Sequence, residues 1–199
     1  MPRKGLTPEV VVDAAIRVID AGGPENLTLA AVAESLDVRP PSLFNHVAGL
    51  PELRRLLHLR GLREMSGRVM RAAVGRSGRD AVLAAADAIR AFAHDHPGLY
   101  AASLAAPPAA DEELVAAGER FTGIFFDVVR RYGFEGDESV HAVRGLFSTI
   151  HGFIMLERAG TFAMSVDPDE SFRRLIARYV DSLDADRVTG VARRRAGGD

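Results

Sequence analysis

The residues whose types can do chemistry cluster between positions 38 and 63. Arg39, Pro41, Ser42, Phe44, Asn45 and His46 fall close together there. Arg, Ser, Asn and His side chains hydrogen-bond to base edges and phosphates, while Pro41 and Phe44 offer apolar contact of the kind a thymine methyl takes. Arg54, Arg55, Arg60 and Arg63 follow, and Glu52 is the single acid of the stretch. Residues 1–37 have the opposite balance, with Arg3, Lys4 and Arg17 set against Glu9, Asp13, Asp20, Glu25, Glu34 and Asp37. The net charge over all 199 residues is −2, which by itself argues against a nucleic-acid partner. The positive charge is local, and the bulk figure conceals it.

Other chemistries find little support. The chain has no cysteine, which removes a disulfide framework, thiol catalysis and cysteine zinc sites, and fits a reducing compartment. His94-Asp95-His96 has the residue types of a metal site. Residues two apart point to different sides of a helix, however, and Pro97 follows at once. A helix end that favours cationic histidine explains the triplet better. No HExxH, GxSxG or glycine-rich phosphate loop occurs, so neither enzymatic activity, nor a metal, nor a cofactor is expected. No apolar run reaches the roughly 18 residues of a membrane span, and Met1–Leu6 lacks the apolar core of a leader. A cytoplasmic protein with no membrane partner is the expectation.

The elements that must position the cluster are legible from caps and periodicity. Thr7-Pro8-Glu9 starts a helix, with an apolar stripe at Val11, Ala14, Ala15, Val18 and Ile19, and Gly22-Gly23-Pro24 stops it. Thr28 caps a second helix, Leu29–Leu36. Asp37-Val38-Arg39 is a three-residue break, and Pro40-Pro41 opens a short helix ending near His46. Such a pair has the size of a helix-turn-helix, with Val38 and Leu43 as apolar anchors and the polar side chains left outside. A long helix then runs from Pro51 to about Val74. Further helices are expected near 79–95, 97–104, 111–132, 137–159 and 168–183, bounded by glycines and prolines. The spacing predicts an all-α fold of about nine helices and no strands.

The run Leu29 to Val47, preceded by a capped helix and a Gly-Gly break, resembles the N-terminal domain of TetR-family transcriptional regulators over about residues 6–63. The resemblance implies a homodimer on a palindromic double-stranded DNA operator, acting as a repressor and released when a small molecule enters the C-terminal domain. It places the recognition helix on Pro40–His46 and DNA-facing positions on Arg39, Ser42, Phe44, Asn45 and His46, to which Pro41 and Thr28 are added. Phe44 stands where the family often has Tyr, and Gly49-Leu50-Pro51 where it often has Lys. Phosphate contact is therefore expected from Arg39, Arg54, Arg55 and the Arg3-Lys4 arm. A ligand-independent DNA-binding protein and a helical enzyme are the alternatives.

The domains read as 1–50 for DNA binding, 51–185 for sensing and dimerisation, and 186–199 as a disordered tail. Apolar helix faces in the second domain fit an apolar or amphipathic effector. Phe92, Tyr100, Phe121, Thr122, Phe125, Phe147, Ser148 and His151 are the candidate pocket residues. Leu146–Leu156 is loosely similar to a C-terminal subgroup of the family marked by a Trp and a His-Gly pair. Phe147 falls about where that Trp would stand. The last two helices are expected to dimerise through Gly152, Phe153, Leu156, Phe172, Leu175, Ile176 and Tyr179, which core packing could equally claim.

Overall fold

The structure, a computed structural model, describes residues 5–196, with side chains as far as residue 185. Eight α-helices follow in order: α1 Pro8–Gly22, α2 Leu29–Ser35, α3 Leu50–Ala73, α4 Gly78–Asp95, α5 Pro97–Ala102, α6 Glu112–Arg131, α7 Gly136–Arg158 and α8 Pro168–Ala196. Two 3-10 helices, Pro24–Asn26 and Pro40–Asn45, complete the set, and no strand occurs among the described residues. The nine expected helical segments are all present. The recognition segment differs from expectation in being 3-10 rather than α. Pro40 and Pro41 have no N–H to donate, and the remaining donors close short turns: Ser42 to the Arg39 carbonyl at 2.9 Å and His46 to that of Leu43 at 2.9 Å. The backbone of α8 also continues to Ala196, past the expected end at Leu183 and through part of the supposed tail. Residues 197–199 lie outside the described residues.

The chain divides into two compact units, residues 1–65 with 91–119, and 66–90 with 120–199. Compactness thus groups the chain differently from the sequence boundary at residue 50, because α3, α4 and α6 each contribute to both units. In the first unit, Thr7 caps α1 by accepting from the Val10 N–H at 3.3 Å, and Val11, Ala14, Ala15 and Ile19 line its buried face. Leu53, Leu57, Met65, Phe92, Leu99 and Tyr100 are buried with them in the core of this unit. Asp20, at the end of α1, holds α5 in place. Its Oδ1 accepts from the N–H groups of Gly98 at 2.9 Å and Leu99 at 3.1 Å, and its Oδ2 lies 2.9 Å from His96 Nδ1. A side chain on Gly98 would press against the Ile19 carbonyl, so this crossing needs glycine.

In the second unit, Val82, Ala86, Ile89, Val129, Leu146 and Ile150 are buried. Arg90 pairs with Glu157, Nε to Oε2 at 2.9 Å, and with Asp169 at 2.8 Å. Its guanidinium lies 5.0 Å from the Phe172 ring centroid, and the two carboxylates hold it firmly protonated. Helices α7 and α8 approach closely at Gly145, where a Cβ would meet the Tyr179 ring. The Tyr179 hydroxyl donates to the Ala142 carbonyl at 2.7 Å.

Candidate nucleic-acid interface

The turn that aims the recognition segment is built on Asp37. Its φ of 54° lies in the left-handed region, which few residues other than glycine tolerate and aspartate does. The Asp37 N–H donates to the Glu34 carbonyl at 3.0 Å and the Val38 N–H to that of Ala33 at 3.0 Å. This pair of bonds ends α2 and turns the chain within three residues. At the other end of α2, the exposed Thr28 accepts from the Ala31 N–H at 3.0 Å, which leaves its O–H free to donate outward. Leu43, fully buried, pins the recognition segment to the core. Its neighbours then have no choice of direction. Arg39, Pro41, Phe44 and Asn45 are exposed and Ser42 and His46 half-buried, with 59% of Phe44 held out in solvent. A phenyl ring so exposed costs free energy in water, and its position beside Asn45 suits apolar contact in a groove.

The basic stretch divides once its partners are seen. Arg55 grips Asp111 with two hydrogen bonds, Nε to Oδ2 at 2.5 Å and Nη2 to Oδ1 at 2.9 Å, and reaches Glu113 at 2.8 Å. Its guanidinium holds both carboxyls below their usual range. Arg63 binds the other Glu113 oxygen at 2.7 Å, while Arg60 pairs with Glu64 and lies 3.4 Å from Asp13. Arg55 was expected to meet phosphate, and the structure instead commits it to acids of the same unit. Arg39 and Arg54 are exposed and carry no ion pair among the described residues. Arg3 and Lys4 lie outside the described residues.

The expected pocket residues fall into two groups. Phe92 and Tyr100 are fully buried in the first unit, with ring centroids 6.5 Å apart. Phe121, Phe125, Phe147 and His151 form an aromatic cluster in the second. There Phe147 and His151 stack with centroids 6.3 Å apart, and burial pushes the His151 pKa down. Thr122 and Ser148 are exposed. The candidate interface residues divide similarly. Phe153, Phe172 and Ile176 are buried within the second unit, whereas Leu156 and Leu175 are exposed and a Cβ on Gly152 would meet open space. Among the described residues no group of three or more metal-ligating side chains occurs, and His96 is engaged by Asp20.

The sequence reading missed a cavity of about 470 Å³ within the first unit. Ile19, Leu27, Leu57 and His58 line it, as do Arg54, Arg55 and Asp111. His58 is 7% exposed, its Nε2 has no hydrogen-bond partner among the described residues, and burial pushes its pKa down. No local pattern marks such a site, since its walls come from segments as far apart as Ile19 and Asp111.

A capped helix, a three-residue turn and a short segment that presents polar side chains define a helix-turn-helix DNA-binding protein. Residues 82–179 match the family described as the tetracyclin repressor-like C-terminal domain. The chain is 33% identical over 180 residues to the uncharacterized HTH-type transcriptional regulator Rv0681 of Mycobacterium tuberculosis, spanning 90% of this chain and 82% of that one. It is also 33% identical to the HTH-type transcriptional regulator YobS of Bacillus subtilis, spanning 92% of this chain and 95% of that one. A TetR variant from Acinetobacter baumannii, solved in complex with minocycline, has the same fold. Its TM-score is 0.68 at 18% identity, covering 92% of this chain and 99% of that one. The chain belongs to the TetR family and is a DNA-binding transcriptional regulator. No described helix is long and apolar enough to cross a membrane.

Proposed function

We propose that the chain is a cytoplasmic repressor that binds a palindromic operator as a homodimer and releases it when a small apolar or amphipathic molecule binds. The observation that carries this reading is the surface built on buried Leu43, where Arg39, Ser42, Phe44, Asn45 and His46 stand together. Asn45 and Arg39 read base edges, Phe44 and Pro41 take apolar contact, and Arg54 and Thr28 hold phosphates. The exposed Leu156 and Leu175, on α7 and α8, are the apolar surface for the second copy, with Gly152 permitting close approach. A two-fold dimer presents two recognition segments and so reads two half-sites, which compensates for the small number of free cations on each. The test is a gel shift on DNA flanking the chain's own gene. Wild type is expected to give a sequence-specific shift that Arg39→Ala with Asn45→Ala abolishes while light scattering still reports a dimer. A folded dimer with no specific shift refutes the proposal.

A further inference from the structure

The cavity in the first unit is the least explained feature of the molecule. Its volume, about 470 Å³, lies in the range of small-molecule sites. Ile19, Leu27, Leu57 and Leu114 give it apolar walls. Arg55 and Asp111, hydrogen-bonded to each other, line it too, and two further polar groups on its wall, His58 Nε2 and the Arg54 guanidinium, have no hydrogen bond or ion pair among the described residues. His58 is more than nine-tenths buried and its Nε2 has no hydrogen bond among the described residues, which in an interior costs free energy until something fills the need. Arg54 lines the same space, is exposed, and forms no ion pair among the described residues, in contrast to Arg55 beside it. Arg54 and His58 are four residues apart on α3 and therefore lie on one helix face, one turn from each other.

From this arrangement we infer that the cavity binds an amphipathic monocarboxylate, with its carboxylate on Arg54, its apolar body against Leu27 and Leu57, and a hydroxyl or carbonyl on His58 Nε2. The inference rests on the ligand-released repressor reading and names the site and chemistry of its effector. It also supplies a route from binding to release. Arg54 is a proposed phosphate contact, and a carboxylate that occupies it competes directly with DNA. The wall that the ligand presses on is the first part of α3, which begins at Leu50, shortly after the recognition segment ends at Asn45. A guest there bears on the element that follows the DNA-reading side chains, with no signal needed from the aromatic cluster of the other unit.

The test uses the full chain, with 8-anilinonaphthalene-1-sulfonate as a fluorescent occupant and 10-hydroxydecanoate and decanoate as competitors. Both acids are expected to displace the dye and to release bound DNA over the same concentration range, the hydroxy acid more tightly. Ala105→Trp fills the cavity from its lip. It is expected to weaken both acids at least about tenfold without changing DNA binding in their absence. Arg54→Gln weakens both acids to a similar degree, and His58→Phe removes the preference for the hydroxy acid. Displacement unchanged in folded Ala105→Trp, with DNA still released, places the effector elsewhere and overturns this inference while the repressor reading stands. Failure of either acid to displace the dye overturns the inferred ligand class. A chain that binds no DNA specifically, yet holds the acids as described, overturns the repressor reading and leaves the site intact.

Discussion

Replacing Arg54 by alanine and, separately, Arg55 by alanine asks two adjacent arginines to report on different parts of the molecule. Arg54 is exposed, with no ion pair among the described residues, so its expected partner is a phosphate supplied by DNA. Each phosphate neutralised releases condensed counterion and contributes roughly 0.9 to the dependence of log K on log salt, so a dimer that loses two such contacts loses about 1.8 from that slope. The loss falls equally on operator and non-operator DNA, because phosphates carry no sequence. Arg55 already has its charge matched by carboxylates, since Asp111 takes two of its hydrogen bonds and Glu113 a third. Its removal leaves the salt slope unchanged. It lowers the melting temperature instead, because Asp111 also caps α6 through the Leu114 N–H at 3.2 Å. Fluorescence anisotropy with operator DNA over a range of salt concentrations measures the slope, and a thermal melt measures the cost. If Arg55→Ala lowers the slope as much as Arg54→Ala, the assignment of these two side chains is refuted.

Three further perturbations test the packing of the first unit. Asp20→Ala strips two N–H groups at the start of α5 and His96 of their shared acceptor, and is expected to cost about 1–3 kcal/mol by urea denaturation. Asp20→Asn keeps an oxygen for the backbone and should cost less. Gly98→Ala drives a methyl into the Ile19 carbonyl and is expected to destabilise by about 1–3 kcal/mol, a helix-favouring substitution made unfavourable by a neighbour. A gain in stability would show that α1 and α5 are further apart. His58 has its pKa pushed down by burial, partly offset by the Asp111 charge. The unfolded chain therefore binds the proton more readily than the folded one. Its contribution to stability falls as pH drops through the ordinary value of 6.5, and continues to fall down to the folded pKa. Denaturation at about pH 7.5 and about pH 5.5 should show a smaller loss for His58→Phe than for wild type.

The helices of this protein were legible because their causes are local. Thr7 and Thr28 each accept from a backbone N–H of the turn they open, and Pro97 and Pro168 start helices where a missing donor does no harm. The same holds for the helix-turn-helix, whose break at Asp37 and buried anchor at Leu43 sit within a few residues of the side chains they aim. Only the tertiary structure decided which of those side chains are free to act. Arg54 and Arg55 are alike in any one-dimensional reading, and what separates them is a carboxylate 56 residues away from Arg55. Phe153 and Leu156 share an apolar pattern on α7, yet the first is buried and the second exposed, because burial depends on what a helix is packed against. Asp20 read as one negative charge among six, and proved to be the acceptor that fixes α5. The cavity, and a His58 Nε2 with no hydrogen bond among the described residues, had no signature at all. Hydrogen bonding along a helix is set by neighbours in sequence, whereas ion pairing, burial and empty space depend on which distant segments meet.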